Sequence, residues 1–138
     1  MRKAMKFDKY LRDNGITFFD KHDHEDETVI YSSGHTISGN RIRFFILIDD
    51  SVYTILRGRL MRLDKPAKRE EMLYLLNQLN CRNNVIKFEL TDKDDIDFSV
   101  PYIAMDEDFS PEVIMGVTMN IIRDVEQDYA KIMRVIWS

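Results

Sequence analysis

Hydrophobic and polar residues alternate through the middle of the chain, which is the pattern of strands with one buried face. The clearest run covers residues 41–49, where Phe44 and Ile46 fall on one face and arginines on the other. Towards its end Phe45 and Leu47 make the second face apolar too, so we expect a central strand with another element covering part of that face. Short connections predict an antiparallel meander. Its three strand-like runs occupy residues 28–37, 41–49 and 52–63.

Two further strand-like runs, residues 85–90 and 96–102, flank a polar turn and predict a β-hairpin. Pro101 cannot donate a hydrogen bond to a neighbouring strand, so it predicts an edge position or a bulge. Near the start of the chain, residues 16–19 predict the beginning of a strand. The charged stretch 20–27 that follows predicts an exposed loop or an edge.

Apolar residues at helical spacing predict amphipathic helices over residues 3–14, 66–81 and 110–136. Ser110 and Pro111 are typical of a helix start. The predicted order is α-β-β-β-α-β-β-α. The fold class is therefore α+β, with an antiparallel sheet made of a three-stranded meander plus a hairpin and flanked by helices. A length of 138 residues fits one domain, residues 1–138.

Composition limits the classes of function. The 20 basic and 24 acidic residues give a net charge of −4, which disfavours nucleic-acid binding. No apolar run approaches the ~20 residues of a membrane helix, and the charged start lacks the apolar run of a secretory signal. Cys81 is the single cysteine, so no disulfide can form within the chain. We therefore expect a cytoplasmic protein that binds neither nucleic acid nor membranes.

The sequence carries no catalytic motif that we recognise. A calcium loop starting at Asp92 would have Asp97 where glycine is needed and Ile103 where glutamate is needed. The five glycines are isolated, so they form no phosphate-binding loop, and Cys81 has no neighbouring histidine. We therefore expect a protein that is not an enzyme, with no catalytic residues and no cofactor.

His22 and His24 are the first candidates for metal binding. Residues two apart on a strand point to the same side, so both rings could reach one ion, with Asp26 or His35 as a further ligand. The competing interpretation is a solvated, charged loop, and we assign no metal site. A small-ligand or metal-dependent sensor domain stays as the alternative to a protein-binding domain.

A basic segment stands out in this acidic chain. It could receive an acidic partner segment or phosphate groups, because arginine makes bidentate contacts with both. The alternative is a solvated corner between a strand and a helix. We expect Arg57 and Arg59 to share one sheet face. The basic residues of the segment are Arg57, Arg59, Arg62, Lys65, Lys68 and Arg69, with Asp64 the one acid among them.

The last predicted helix has a second apolar side next to its main stripe. This flank lies roughly 100° from the stripe and is interrupted by Glu126. Either a neighbouring helix of the same chain covers it, or it forms an intersubunit or peptide-binding groove, for which Met and Trp are suited. The residues of the flank are Met115, Met119, Ile122, Met133 and Trp137. Together with Arg57, Arg59 and Arg62, we take Met115, Met119 and Trp137 as candidate partner-binding residues.

Five segments of the chain and Trp137 carry a family resemblance. The segments are residues 44–50, 75–80, 87–90, 109–112 and 129–133. They resemble the YbjN-like family of bacterial sensory transduction regulators, whose fold is similar to that of type III secretion chaperones. The resemblance covers the chain from about Thr28 onward. It implies a homodimer that binds protein segments, and it brings no catalytic residue.

Overall fold

A single antiparallel sheet of six strands runs through the computed structural model, which describes residues 2–24 and 26–138. The predicted meander and hairpin are parts of this one sheet, because β4 pairs with β6. The spatial order is β1-β2-β3-β4-β6-β5. The strands are β1 (Asp20–Asp23), β2 (Val29–Ile37), β3 (Asn40–Ile48), β4 (Tyr53–Arg62), β5 (Lys87–Leu90) and β6 (Asp95–Ile103).

Three helices accompany the sheet in the described residues, close to where the sequence predicts them. A short 3-10 turn over Pro66–Lys68 leads into the second helix. At the start of the third, the Ser110 hydroxyl accepts a hydrogen bond from the backbone N–H of Val113, and Pro111 occupies the first turn. The third helix is about 40 Å long. The helices are α1 (Arg2–Asp13), α2 (Arg69–Arg82) and α3 (Pro111–Trp137).

The helices pack on one face of the sheet and form the core with it. In register, Ile46 of β3 lies opposite Tyr31 of β2 and Leu56 of β4, and all three are buried. Phe7 of α1 packs edge-on against the ring of Tyr31, with 4.7 Å between centroids. Over the middle of the sheet, Ile114 of α3 approaches Ile46 and Leu56. The alternation in β3 therefore predicted the core face correctly.

The edge strand β1 differs from the predicted three-stranded meander. It lies at residues 20–23 of the charged stretch, whereas residues 16–19 precede it and form no strand. All four β1 side chains are exposed, so its pairing with β2 depends on backbone hydrogen bonds that sequence alternation does not report. On the helix side, the Lys21 ammonium lies 2.9 Å from the Asp8 carboxylate of α1.

The second face of β3 is apolar for a reason other than the predicted one. Phe45 and Leu47 are half-buried, although the described helices pack on the opposite face. Their neighbours in the sheet, Arg57 and Ile55 of β4, supply the shielding instead. The central position of β3 is confirmed, but the expected covering element is not found among the described residues.

Pro101 occupies an edge, as predicted. The pairing of β5 with β6 ends at Ser99, opposite Lys87. Beyond that point β6 has only β4 beside it, where Ile55 lies opposite Pro101. A missing N–H is tolerated in such a place because no second strand needs it.

Candidate protein-binding surfaces

One face of the sheet is left uncovered by the described helices, and we call it the open face. It consists of the side chains that alternate with the core positions. Arg57 and Phe45 lie opposite each other on it, whereas their chain neighbours Leu56 and Phe44 are buried on the helix side. Its central residues are Ile30, Ser32, Arg43, Phe45, Leu47, Ile55, Arg57, Arg59, Asp97, Ser99 and Pro101.

One half of the open face is apolar. The strand register places Leu47 of β3 between Ile30 of β2 and Ile55 of β4, and Pro101 of β6 follows in the same row. These side chains lie across neighbouring strands, where cross-strand pairs touch. The sheet thus presents a continuous apolar row, which we call the apolar row of the open face.

The other half of the open face is charged, and two of its arginines, Arg43 and Arg59, are paired within the chain. Arg43 donates to the Asp20 carboxylate at 3.2 Å and to the Ser32 hydroxyl at 2.8 Å. Arg59 donates to both carboxylate oxygens of Asp97, at 2.8 and 3.1 Å. This hydrogen bonding to Asp97 raises the pKa of the Arg59 guanidinium. The bidentate pair of Arg59 with Asp97 holds both side chains in place.

Arg57 differs from these arginines. It lies at the middle of the sheet, opposite Phe45 on β3 and Ser99 on β6. Its side chain is exposed and makes no hydrogen bond or ion pair with residues 2–24 or 26–138. A shallow concavity of about 360 Å³ surrounds it, with Arg59, Lys87 and further open-face residues as its lining. A cation in this position is available to a partner.

The predicted basic segment is divided by the fold. Arg57 and Arg59 share the open face, as predicted, and Arg62 is exposed at the end of β4. The other three residues are used within the chain. Lys65 donates to the backbone carbonyl of Ile136, Lys68 to the Ser138 hydroxyl, and Arg69 pairs with Asp94. No local pattern in the sequence indicates this division, because it depends on the end of α3 and on the β5–β6 turn lying near these residues.

The flank of α3 is covered in part by the chain itself. Met115 is buried, and the backbone N–H of Ser38 in the β2–β3 turn donates to the Glu126 carboxylate at 3.3 Å. Met119 and Trp137 stay exposed, Trp137 by 72%. These two residues lie on the helix layer and Arg57 on the opposite side of the sheet, so the candidate residues form two surfaces rather than one.

His22 and His35 lie on opposite sides of the sheet. His22 lies opposite Ile30 on the open-face side, whereas the ring of His35 packs against Phe44 on the helix side, 5.1 Å between centroids. Burial, followed by the charge of Arg41, lowers the pKa of His35. Within the described part of the chain, no group of three His, Cys, Asp or Glu side chains is arranged to hold a metal ion. Likewise, none of its helices has the length and apolarity to cross a bilayer.

Fold and surfaces together define an antiparallel sheet of the α+β class with helices on one face, an uncovered second face and a partly exposed flank of α3. A family model named YbjN, "putative bacterial sensory transduction regulator", matches residues 7–133. Because this match covers nearly the whole chain, the protein belongs to the YbjN family. No curated protein and no solved structure matches the chain.

Proposed function

We propose that this protein is a non-enzymatic, protein-binding regulatory domain that acts as a homodimer. The description of the YbjN family as regulators supports the regulatory role. The observation that carries the binding role is the open face, where the apolar row lies beside the unpaired Arg57. Apolar contacts with an arginine among them are typical of the residues that dominate protein–protein affinity.

The homodimer rests on the other surface. Met119 and Trp137 share one flank of α3 and are exposed, and a large aromatic side chain in water is a common interface anchor. The sequence resemblance to the YbjN-like family, whose fold is similar to that of type III secretion chaperones, implies a dimer as well. We assign the α3 flank to contact between subunits and the open face to partner binding.

The proposed setting is the cytoplasm, with protein partners rather than nucleic acid or membrane. A net charge of −4 opposes general attraction to phosphate backbones. Cys81 is a free thiol exposed on α2, and an exposed free thiol persists most readily in a reducing compartment.

Light scattering tests the homodimer. We expect wild-type protein to have twice the mass of one chain, and Trp137→Ala to shift the equilibrium towards single chains because it removes the anchor. Tyr74→Ala is the matched control, since Tyr74 of α2 is an aromatic residue with similar exposure, 67%. A wild type that stays monomeric at high concentration would disprove the dimer.

Partner binding needs a test of its own. The full chain is used to purify proteins from its native cell, and each candidate is then produced separately and titrated against the purified domain. We expect saturable binding with a fixed stoichiometry for at least one of them. Regulation by protein binding is refuted if none of the separately produced candidates binds.

A further inference from the structure

We propose that the open face binds a partner segment in which a carboxylate lies next to apolar side chains, with Arg57 pairing the carboxylate. This inference rests on the proposed function and adds the chemistry of the partner. It assigns a separate role to each half of the open face: the apolar row supplies contact area, and Arg57 selects for an acid.

Arg57 differs from the neighbouring arginines in whether its charge is paired with a carboxylate. Arg43 and Arg59 already hold Asp20 and Asp97, so their charges are compensated within the chain. Arg57 has no such partner among the described residues, although its position between β3 and β6 fixes its backbone. A guanidinium held on a rigid strand is suited to bidentate pairing with a carboxylate that an incoming chain provides.

Apolar side chains lie beside the Arg57 guanidinium on the open face. Phe45 is directly opposite Arg57, and Leu47 and Ile55 form the next row of the sheet. A partner that covers this row removes water from the ion pair, which strengthens the electrostatic attraction. A segment with a carboxylate flanked by apolar residues can pair with Arg57 and cover the apolar row at the same time. An all-acidic segment would leave the apolar row uncovered.

Charge also argues against two other partners for the open face, a second copy of the chain and nucleic acid. A second copy in a two-fold arrangement brings the same patch against itself, so a contact centred here would set Arg57 against Arg57. Nucleic acid carries a negative charge at every nucleotide, whereas two acids, Asp97 and Glu89, offset most of the charge of the three cations that line the concavity, Arg57, Arg59 and Lys87. A single carboxylate in an apolar context satisfies the face without either conflict.

A displayed library of random 12-residue peptides tests the inference on the full chain. We expect wild-type protein to enrich peptides with Asp or Glu next to apolar residues. For a synthesised peptide from that set, Arg57→Glu should weaken binding at least about tenfold, the size expected for losing a hydrogen-bonded charge pair. Replacing the peptide's acid with Lys should weaken it similarly. Arg57→Ala is a second variant that removes the cation without adding a negative charge near Asp97.

Arg12→Glu is the control, because Arg12 is exposed on α1 and the charge change is the same. The inference is overturned if wild type enriches no peptides, if the enriched peptides lack an acid, or if Arg57→Glu binds as well as Arg12→Glu. Any of these results leaves the proposed function standing when a purified partner protein still binds the domain.

Light scattering of Arg57→Glu tests whether the open face is itself the contact between two copies of the chain. We expect its mass to equal that of wild type, because the α3 flank carries the dimer contact. A lower mass would mean that the open face lies between two copies of the chain, which overturns the inference but not the existence of a dimer.

Discussion

The two faces of the sheet are built from alternating residues of the same strands, yet they differ in almost every physical respect. On the helix side, Phe44, Ile46 and Phe98 are buried in one continuous core. On the open side, Phe45 and Arg57 face solvent, and the shielding comes from neighbouring side chains. The helix side therefore provides most of the stability of the fold, whereas the open face can contact a partner without disrupting the core.

Adjacent phenylalanines give the strongest test of this difference. Phe44→Ala should lower the free energy of unfolding by about 3–5 kcal/mol, because Phe44 is only 1% exposed and its removal leaves a cavity. Phe45→Ala should cost about 1 kcal/mol, since less apolar area leaves contact. Urea denaturation of both variants measures the two values. Equal losses would mean that the open face is part of the core.

The single glycine of β4 tests how closely the core face is packed. A Cβ added at Gly58 would lie 2.6 Å from the ring of Phe98 and 3.0 Å from the backbone oxygen of Arg43. We expect Gly58→Ala to destabilise the protein by about 1–3 kcal/mol through overpacking.

Gly116 provides the matched control on α3. It has no atom within 4 Å of an added Cβ, so Gly116→Ala should stabilise the protein by about 0.5–1 kcal/mol through helix propensity. The melting temperatures of the two variants should move in opposite directions. A stabilising Gly58→Ala would contradict the close packing of β4 under Phe98.

His35 on the helix side gives the smallest effect. The pKa of His35 is lowered from the usual 6.5 by burial, so the unfolded chain binds a proton there more readily than the folded one. Stability should therefore fall as pH drops below about 6.5. His35→Gln should flatten this part of the profile between pH 7 and pH 5, as measured by urea denaturation at each pH. Identical profiles for wild type and His35→Gln would contradict the role of burial.

Much of the core could be predicted from the sequence, because alternation reports directly which side chains are buried. The runs around Phe44 and Phe98 indicated the correct face of each strand. Alternation does not report backbone pairing, so the sequence leaves the charged stretch open between a loop and an edge, and it predicts the start of a strand at residues 16–19, four residues before β1. It also does not say which strands become neighbours, and the pairing of β4 with β6 came only from the structure.

The candidate surfaces were predictable only in part. Arg57 and Arg59 were expected on one face, and they lie there. No local pattern distinguishes Arg57, which has no partner within residues 2–24 and 26–138, from Arg59, which pairs with Asp97 of β6, a strand far along the sequence. Similarly, the sequence predicts Lys65 as a free surface cation, but its ammonium donates to the backbone carbonyl of Ile136, near the end of the chain. Long-range contacts decided which charges remain available.

The pairing of β4 with β6 has a consequence for how the protein folds. The strands from β1 to β4 follow one another closely along the chain. By contrast, β4 pairs with β6, and α2 and β5 lie between these two strands in the sequence. Closing that large loop costs chain entropy before any contact is gained, which slows the step. The meander can assemble early from local contacts, and the hairpin docks onto it afterwards. Substitutions in the β2–β3 hairpin should therefore slow folding, whereas equally destabilising ones in the β4–β6 pairing should mainly speed unfolding, which stopped-flow kinetics can measure.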